Sequence, residues 1–322
     1  MRRLLLFMGF VGISVLPAAA GPNIDHVFVI VMENKDATPA HKGDKSFIYG
    51  NKKDAPYINK ELIRSASRAL NFVDELPDLP SEPHYILMEA GTNAFDDTAF
   101  TCNAEPTRKC DGSDTPNWTR SPRHLVTELE AAGRSWMAYA QGYDPANTGA
   151  CPVTSHDRYA ARHVPFAFFA DVAGAPPAWD TPGCAQHFRD FPQLKADLAT
   201  GNVPNYAFIV PDVCNDMHGY DTCKGNLIKA GDDFLKGMLP DLIDWSKKNR
   251  GIVMLAWDED SSTEVMPFIL AGAGVKQNYA SEEPYSHRSM IRTVERIFNL
   301  PGLDTVKDAS DFGDMFEDGK FP

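Results

Sequence analysis

Two apolar runs near opposite ends of the chain each finish on residues that bind metals through oxygen. Ile24–Met32 (IDHVFVIVM) is followed by Glu33 and Asn34, and Gly251–Trp257 (GIVMLAW) by Asp258 and Glu259. Short β-branched runs of this kind read as buried central strands of an α/β sheet. In open α/β sheets ligands gather beyond the carboxyl ends of the strands, which would bring Glu33, Asn34, Asp258 and Glu259 into one crevice. Three acids and an amide in one crevice repel each other unless a cation sits among them. The two runs therefore constrain the fold to an α/β sheet and place an oxygen-rich metal site at its edge.

The alternation of strand and helix signals continues between the two runs. Pro56–Ser67 reads as a helix, Ala69–Val73 as a strand, and Ser121-Pro122 as the start of a helix reaching about Ala132. Strands are expected at Ser135–Tyr139, Asn205–Val210 and Pro267–Ala271, and a helix over Asp232–Lys248 that Pro240 should kink or break. Ser286 caps a last helix running to about Phe298. The stretch from Asn93 to Gly201 is rich in Pro, Gly, Asp and Cys. Loops of that length usually belong to the functional face.

Residues 1–20 have the composition of a cleaved secretory signal. Arg2-Arg3 is followed by the apolar stretch Leu4–Leu16 and then Pro17-Ala18-Ala19-Ala20. The stretch is short for a membrane span, and no later segment is long and apolar enough to cross a bilayer. The expected organisation is a signal over 1–20 and one domain over 21–322, secreted or periplasmic. The net charge of −13 becomes still more acidic once that segment is removed, which excludes a phosphate-backbone nucleic-acid binder. Six cysteines in an exported chain suggest three disulfides. Neighbour pairing, Cys102–Cys110, Cys151–Cys184 and Cys214–Cys223, is the simplest of the possible connectivities.

A metal cluster of this kind needs a nucleophile or a water. Thr92, in Glu89-Ala90-Gly91-Thr92-Asn93, is a candidate hydroxyl at a helix–loop junction, with the Asn93 amide beside it to hold anionic oxygens. The plain structural alternative for Gly-Thr-Asn is a turn. Asp216 and His218 follow a strand end closely enough to face one ligand. His163 and His287 are further candidates, whereas His26 lies inside a strand and reads as a core residue.

Taken in order, these pieces resemble the phosphoesterase family of bacterial and fungal acid phosphatases and phosphatidylcholine-type phospholipases C, within the alkaline-phosphatase-like superfamily. The resemblance is carried by His26-Val27…Met32-Glu33-Asn34, Pro80-Ser81-Glu82-Pro83-His84-Tyr85, Glu89–Asn93, Tyr159…Arg162-His163-Val164-Pro165-Phe166, Asn215–His218, Trp257–Asp260 and Ser286-His287…Arg292-Thr293. The compact size looks most like the short secreted acid phosphatase branch, which includes phosphatidylinositol 3-phosphate phosphatases. The resemblance implies a central, mostly parallel sheet flanked by helices, with a disulfide-tied loop insertion. It also implies a divalent metal (Ca, Mg, Mn or Zn) on Glu33, Asn34, Asp258 and Glu259, and Thr92 as a nucleophile forming a phosphothreonine. His163 and His218 would serve the phosphate or leaving group, Asp216 would orient His218, and Asn93 and His287 would bind substrate. The implied substrate is a phosphate monoester, either a small molecule or a lipid headgroup, with no nucleic-acid partner and no stable membrane insertion. Two alternatives are a phospholipase C-type phosphodiesterase and a non-catalytic, metal-stabilised binding protein. A sulfatase would need Cys-x-Pro-x-Arg, which Cys151-Pro152-Val153-Thr154-Ser155 does not supply.

Overall fold

The computed structural model describes residues 24–321, so the segment read as a secretory signal lies outside the described residues. Eight strands form one sheet: β1 (His26–Met32), β2 (Ser67–Val73), β3 (Trp136–Ala140), β4 (Phe188–Asp190), β5 (Tyr206–Val210), β6 (Gly251–Trp257), β7 (Val265–Gly272) and β8 (Tyr279–Ser281). Their spatial order is β4-β3-β5-β1-β6-β7-β2-β8. Only β7 runs against the others. The two apolar runs of the sequence are neighbours at the centre, paired in parallel from His26↔Gly251 to Met32↔Trp257. That register sets Glu33 beside Asp258 one step beyond the sheet, and the Asp258 amide donates to the Met32 carbonyl at 3.0 Å.

Nine helices flank the sheet among the described residues: α1 (Pro56–Lys60), α2 (Ser81–Ala90), α3 (Leu125–Ala131), α4 (Pro145–Thr148), α5 (Ala170–Ala173), α6 (Cys184–His187), α7 (Pro192–Thr200), α8 (Leu227–Lys248) and α9 (His287–Phe298). Strand side chains alternate between faces, and this sorts the two main helices. Phe28 of β1 meets Trp245 of α8 edge-on at 5.7 Å. Phe208, which pairs with Val29 and so lies on the other face, meets Tyr85 of α2 at 6.4 Å. The sheet is thus sandwiched between α8 and α2.

The structure departs from the sequence reading in three helices. The expected Pro56–Ser67 helix is a short α-helix followed by a 3₁₀ turn over Leu62–Arg64. The helix expected from Ser121 begins at Leu125, because His124 takes the cap position and the Glu89 carboxylate accepts the Val126 amide at 2.9 Å. α8 runs unbroken through Pro240. Pro240 faces solvent, while Leu235, Leu239, Leu242 and Ile243 bury a continuous stripe against the sheet, and that burial outweighs the missing N–H. The three disulfides are Cys102–Cys110, Cys151–Cys184 and Cys214–Cys223, the neighbour pairing. Two of them lie within the 93–201 insertion, which also contributes β3 and β4 to the sheet.

Candidate active site

The carboxyl ends of β1, β2, β5 and β6 open on one side of the sheet, and each delivers an acid: Glu33, Asp74, the Asp212–His218 loop, and Asp258-Glu259. Asn34 turns through a left-handed conformation (φ 40°), which Asn tolerates better than most residues. Its amide N–H donates to Asp258 Oδ1 at 3.0 Å, and its side-chain amide donates to Glu259 Oε1. The structure thereby brings together the four residues expected to hold a metal. Lys35 and Asp36 lock this turn. The Lys35 ammonium donates to the carbonyls of Asn34 (2.9 Å) and Met217 (3.1 Å), and Asp36 Oδ1 accepts the amides of Ser261, Ser262 and Thr263 at 3.0–3.1 Å.

Helix α2 points its N-terminus into the cluster. Ser81, buried at its first position, donates to Glu33 Oε2 and Glu259 Oε1, each at 3.1 Å. Three and four residues on, His84 and Tyr85 lie on the same helix face. Tyr85 OH donates to Glu33 Oε1 at 2.5 Å, and its ring stacks on His163 at 4.9 Å. His84 Nε2 meets Asp74 Oδ1 at 2.9 Å, and its Nδ1 stands 3.8 Å from Glu259 Oε2. Burial works against charging His84, but the Asp74 hydrogen bond and charge win and push its pKa up to about 9. His84 is thus a buried cation facing the carboxylates.

The β5 loop closes the far side. Glu33 donates its amide to the Asp216 carbonyl at 2.8 Å. His163 places Nε2 3.3 Å from Glu33 Oε1 and Nδ1 3.6 Å from Asp216 Oδ2. Burial holds His163 neutral, well below its ordinary range, and the Arg162 charge adds to this. Asp216 does not orient the His218 ring as expected. Its Oδ1 accepts the His218 backbone amide at 2.7 Å, while His218 Nδ1 meets the Gly219 carbonyl at 2.7 Å, leaving Nε2 for proton exchange.

Three other residues singled out in the sequence lie away from this cluster. Thr92 follows the opposite end of α2, where its hydroxyl bonds Ala94 and faces a separate cavity with Arg123 and Gly302. Asn93 closes the same turn by donating to the Phe100 carbonyl at 2.9 Å. His287 stands behind His84, pairing with the Trp257 carbonyl at 2.9 Å, and burial pushes its pKa down to about 4. It supports a strand end and does not reach the carboxylates. Ser81, His84, Tyr85 and Asp74 are the residues the sequence reading left without a role, although Ser81–Tyr85 lay within a quoted motif.

The donor set fits a divalent cation. Asn34 Oδ1, Asp258 Oδ2, Asp216 Oδ2 and both ring nitrogens of His163 are buried without a hydrogen-bond partner. Buried polar atoms are rarely left so. The ligand atoms of Glu33, His163 and Asp216 lie within 4.8 Å of one another. Burial, followed by the Asp216 charge, lifts Glu33 to about 8; burial and Asp258 lift Glu259 to about 7; burial carries Asp216 and Asp258 far up. Such a cluster holds protons until a cation replaces them.

A sheet with one antiparallel strand, carrying buried carboxylates at its carboxyl edge and a helix N-terminus aimed at them, defines an alkaline-phosphatase-like α/β architecture. The chain belongs to the phosphoesterase family, whose family model matches residues 78–301. It is 31% identical over 305 residues to the phosphatidylinositol-3-phosphatase of Mycobacterium tuberculosis, covering 94% of this chain and 86% of that one. It is 24% identical to a probable acid phosphatase of Kluyveromyces lactis, over 90% of this chain and 62% of the relative. Among solved structures, an alkaline phosphatase superfamily protein from Vibrio parahaemolyticus superposes with TM-score 0.53 at 12% identity, over 89% of this chain and 69% of that one. The lipoteichoic acid synthase LtaP of Listeria monocytogenes superposes with TM-score 0.55 at 9% identity, over 91% and 76% respectively. These two likenesses concern the fold.

Proposed function

We propose that this protein is an exported, metal-dependent phosphatase that hydrolyses phosphate monoesters, with Ser81 as nucleophile. The observation that carries the reading is the Ser81 hydroxyl, buried at a helix N-terminus, 3.1 Å from both Glu33 and Glu259. Thr92, at the other end of the same helix, has no such setting.

Glu33, Asn34, Asp258 and Glu259 hold the cation in this reading, with His163 and Asp216 within reach of the same ion. Bound there, a divalent cation supplies a Lewis acid that offsets phosphoryl charge and makes the serine alkoxide accessible. The chain's own residues do the rest. Glu33 or Glu259 accepts the Ser81 proton along an existing hydrogen bond, and Ser81 Oγ attacks phosphorus to give a phosphoserine. The N-terminus of α2, whose dipole favours an anion, lies beside Ser81, although the Glu82 amide is taken by Asn103 and Pro83 has no N–H. His218 is part-exposed, with Nδ1 held by the Gly219 carbonyl and Nε2 left for proton exchange. In its imidazolium form, which burial confines to acidic pH, it gives a proton to the leaving alkoxide and then takes one from the water that cleaves the phosphoserine, while the glutamate returns its proton to Ser81. His84, held protonated by Asp74, keeps the carboxylates oriented. A phosphoinositide headgroup is a candidate substrate through the 31% identical relative. The sulfatase alternative finds no support, since Cys151 is tied in a disulfide.

The test is phosphate release from p-nitrophenyl phosphate, with and without chelator, compared with bis-p-nitrophenyl phosphate. Chelator-sensitive turnover of the monoester that disappears in Ser81→Ala is expected. Preference for the diester would reassign the protein to the phospholipase C type. Metal binding with no turnover of either would leave a binding protein.

A further inference from the structure

A cavity of about 790 Å³ is lined by Arg162, the chain neighbour of His163, and walled by the Cys102–Cys110 loop on one side and Gly219 and Tyr220 of the Cys214–Cys223 loop on the other. Its volume suits a bound small molecule. Two connections tie it to the chemistry. Asn103 and Ala104 in its wall clasp Glu82, the residue after Ser81: Asn103 Oδ1 accepts the Glu82 amide at 2.9 Å, and the Ala104 amide donates to Glu82 Oε2 at 2.6 Å. Arg162 in its wall immediately precedes His163 in one 3₁₀ turn.

The cations of this cavity differ in how they are engaged. Arg108 pairs with Glu105 at 3.4 Å, and Lys109 donates to the Asp114 carbonyl at 2.6 Å. Arg162 forms no ion pair among the described residues, and its buried Nε has no hydrogen-bond partner. Its charge is nevertheless felt by Glu33, Glu82, His163 and His218, which places it at the junction of cavity and cluster. A desolvated guanidinium donor left without an acceptor is costly, and its planar fork fits the oxygens of a phosphate group. The cluster already offers a cation site and the positive end of the α2 dipole to the phosphoryl group being transferred.

We propose that this cavity is a leaving-group subsite in which Arg162 binds a second phosphate, so that the preferred substrates are monoesters of a polyol carrying another phosphate group. The inference rests on the phosphatase reading above. The second phosphate could be carried by a soluble sugar or by a lipid headgroup, and two matched pairs separate these sources. The first is glucose 1,6-bisphosphate against glucose 6-phosphate. The second is dispersed short-chain phosphatidylinositol 3-phosphate against inositol 3-phosphate.

Wild-type kcat/KM should favour the doubly phosphorylated member of at least one pair by about tenfold or more, the scale of one charge-assisted pair. Arg162→Ala should bring that ratio close to one, and Arg162→Lys should restore part of it. Using the ratio removes any effect common to both substrates. A wild-type ratio near one in both pairs overturns the subsite. A ratio that survives in Arg162→Ala, with turnover of both members reduced alike, assigns Arg162 to the transferred phosphoryl group and also overturns it. Binding of glucose 1,6-bisphosphate by calorimetry, to Ser81→Ala and to Ser81→Ala/Arg162→Ala, needs no turnover. If wild type hydrolyses no monoester the phosphatase reading fails, and the same calorimetry repeated with glucose 6-phosphate still decides the subsite: a loss specific to the bisphosphate supports it, and an equal or absent loss overturns it.

Discussion

A buried charge cluster at the rear of α2 should set the alkaline limit of stability. His124 has no exposed side-chain surface, and it meets Glu89 Oε1 at 2.8 Å through Nδ1 and Asp171 Oδ2 at 3.0 Å through Nε2. Burial disfavours its charge, but the hydrogen bonds to Asp171 and Glu89 prevail and raise its pKa from 6.5 to about 9. A raised histidine adds stability that is fully present below pH 6.5 and lost as pH rises through about 9. The rise corresponds to about 3 kcal/mol, which screening at the 36%-exposed Asp171 reduces to roughly 2 kcal/mol. Glu89, lifted by burial, acts in the same direction from lower pH. Changing His124 alone would leave Glu89 as a lone buried acid, so the informative variant is Glu89→Gln/His124→Gln. Denaturant unfolding at pH 6, 8 and 10 should show wild type losing about 2 kcal/mol more than this variant between pH 6 and pH 10. Parallel pH profiles would refute the reasoning, because they would mean that His124 is neutral in the folded protein at pH 6.

Other outcomes follow from the site. Ser81→Ala should lower kcat on p-nitrophenyl phosphate by about 10³-fold or more, while Thr92→Ala, some 15 Å away along α2, should keep most of it; the reverse pattern would return the nucleophile to Thr92. Asp258→Asn should raise the melting temperature of chelated protein by removing the cost of keeping a buried acid protonated above its ordinary range. The same change should abolish the gain of roughly 4 kcal/mol that wild type receives at a thousandfold excess of metal over Kd, read by calorimetric melting with and without metal. Replacing Cys214 and Cys223 by Ser should cost about 2.5 kcal/mol for the short loop they close. Steady-state kinetics should show kcat falling more than KM rises, because Asp216 and His218 lie inside that loop.

The central strands and the metal-type cluster were legible because β1 and β6 are almost wholly buried, and continuous apolar runs are what such strands require. The rule that ligands lie beyond the strands' carboxyl ends then placed Glu33, Asn34, Asp258 and Glu259 together. The proposed nucleophile, Ser81, was not legible, and the reason lies in α2. All ten of its residues are buried, so Ser81–Ala90 shows no apolar stripe at helical spacing, and a proline sits in its first turn. Without that stripe the helix start could not be fixed, and Thr92, the hydroxyl after its C-terminal glycine, stood as the candidate while Ser81 at its head went without a role. Asp74, His84 and Tyr85 acquire their roles from partners far away in sequence, which a linear reading does not reveal. Of the kink or break expected at Pro240, the break does not occur, for a tertiary reason: the buried stripe holds α8 together on both sides of the proline.

Helix α2 acts as a lever arm. Its rear is pinned by Thr305, whose hydroxyl donates to the Ala90 carbonyl at 2.6 Å, by Arg288, which donates to the Gly91 carbonyl at 3.0 Å, and by Glu89 on His124. Gly91 takes the left-handed cap at φ 66°, and an added Cβ would meet Val306 Cγ1 at 2.5 Å, so this anchorage admits little variation. Over an arm of about 15 Å, a tilt of about 4° would swing Ser81 by about 1 Å, a displacement that can cost about a hundredfold in rate. Aim is therefore set partly at the end of the helix where no chemistry occurs, and substitutions there would register as lost turnover in a protein that is otherwise well folded.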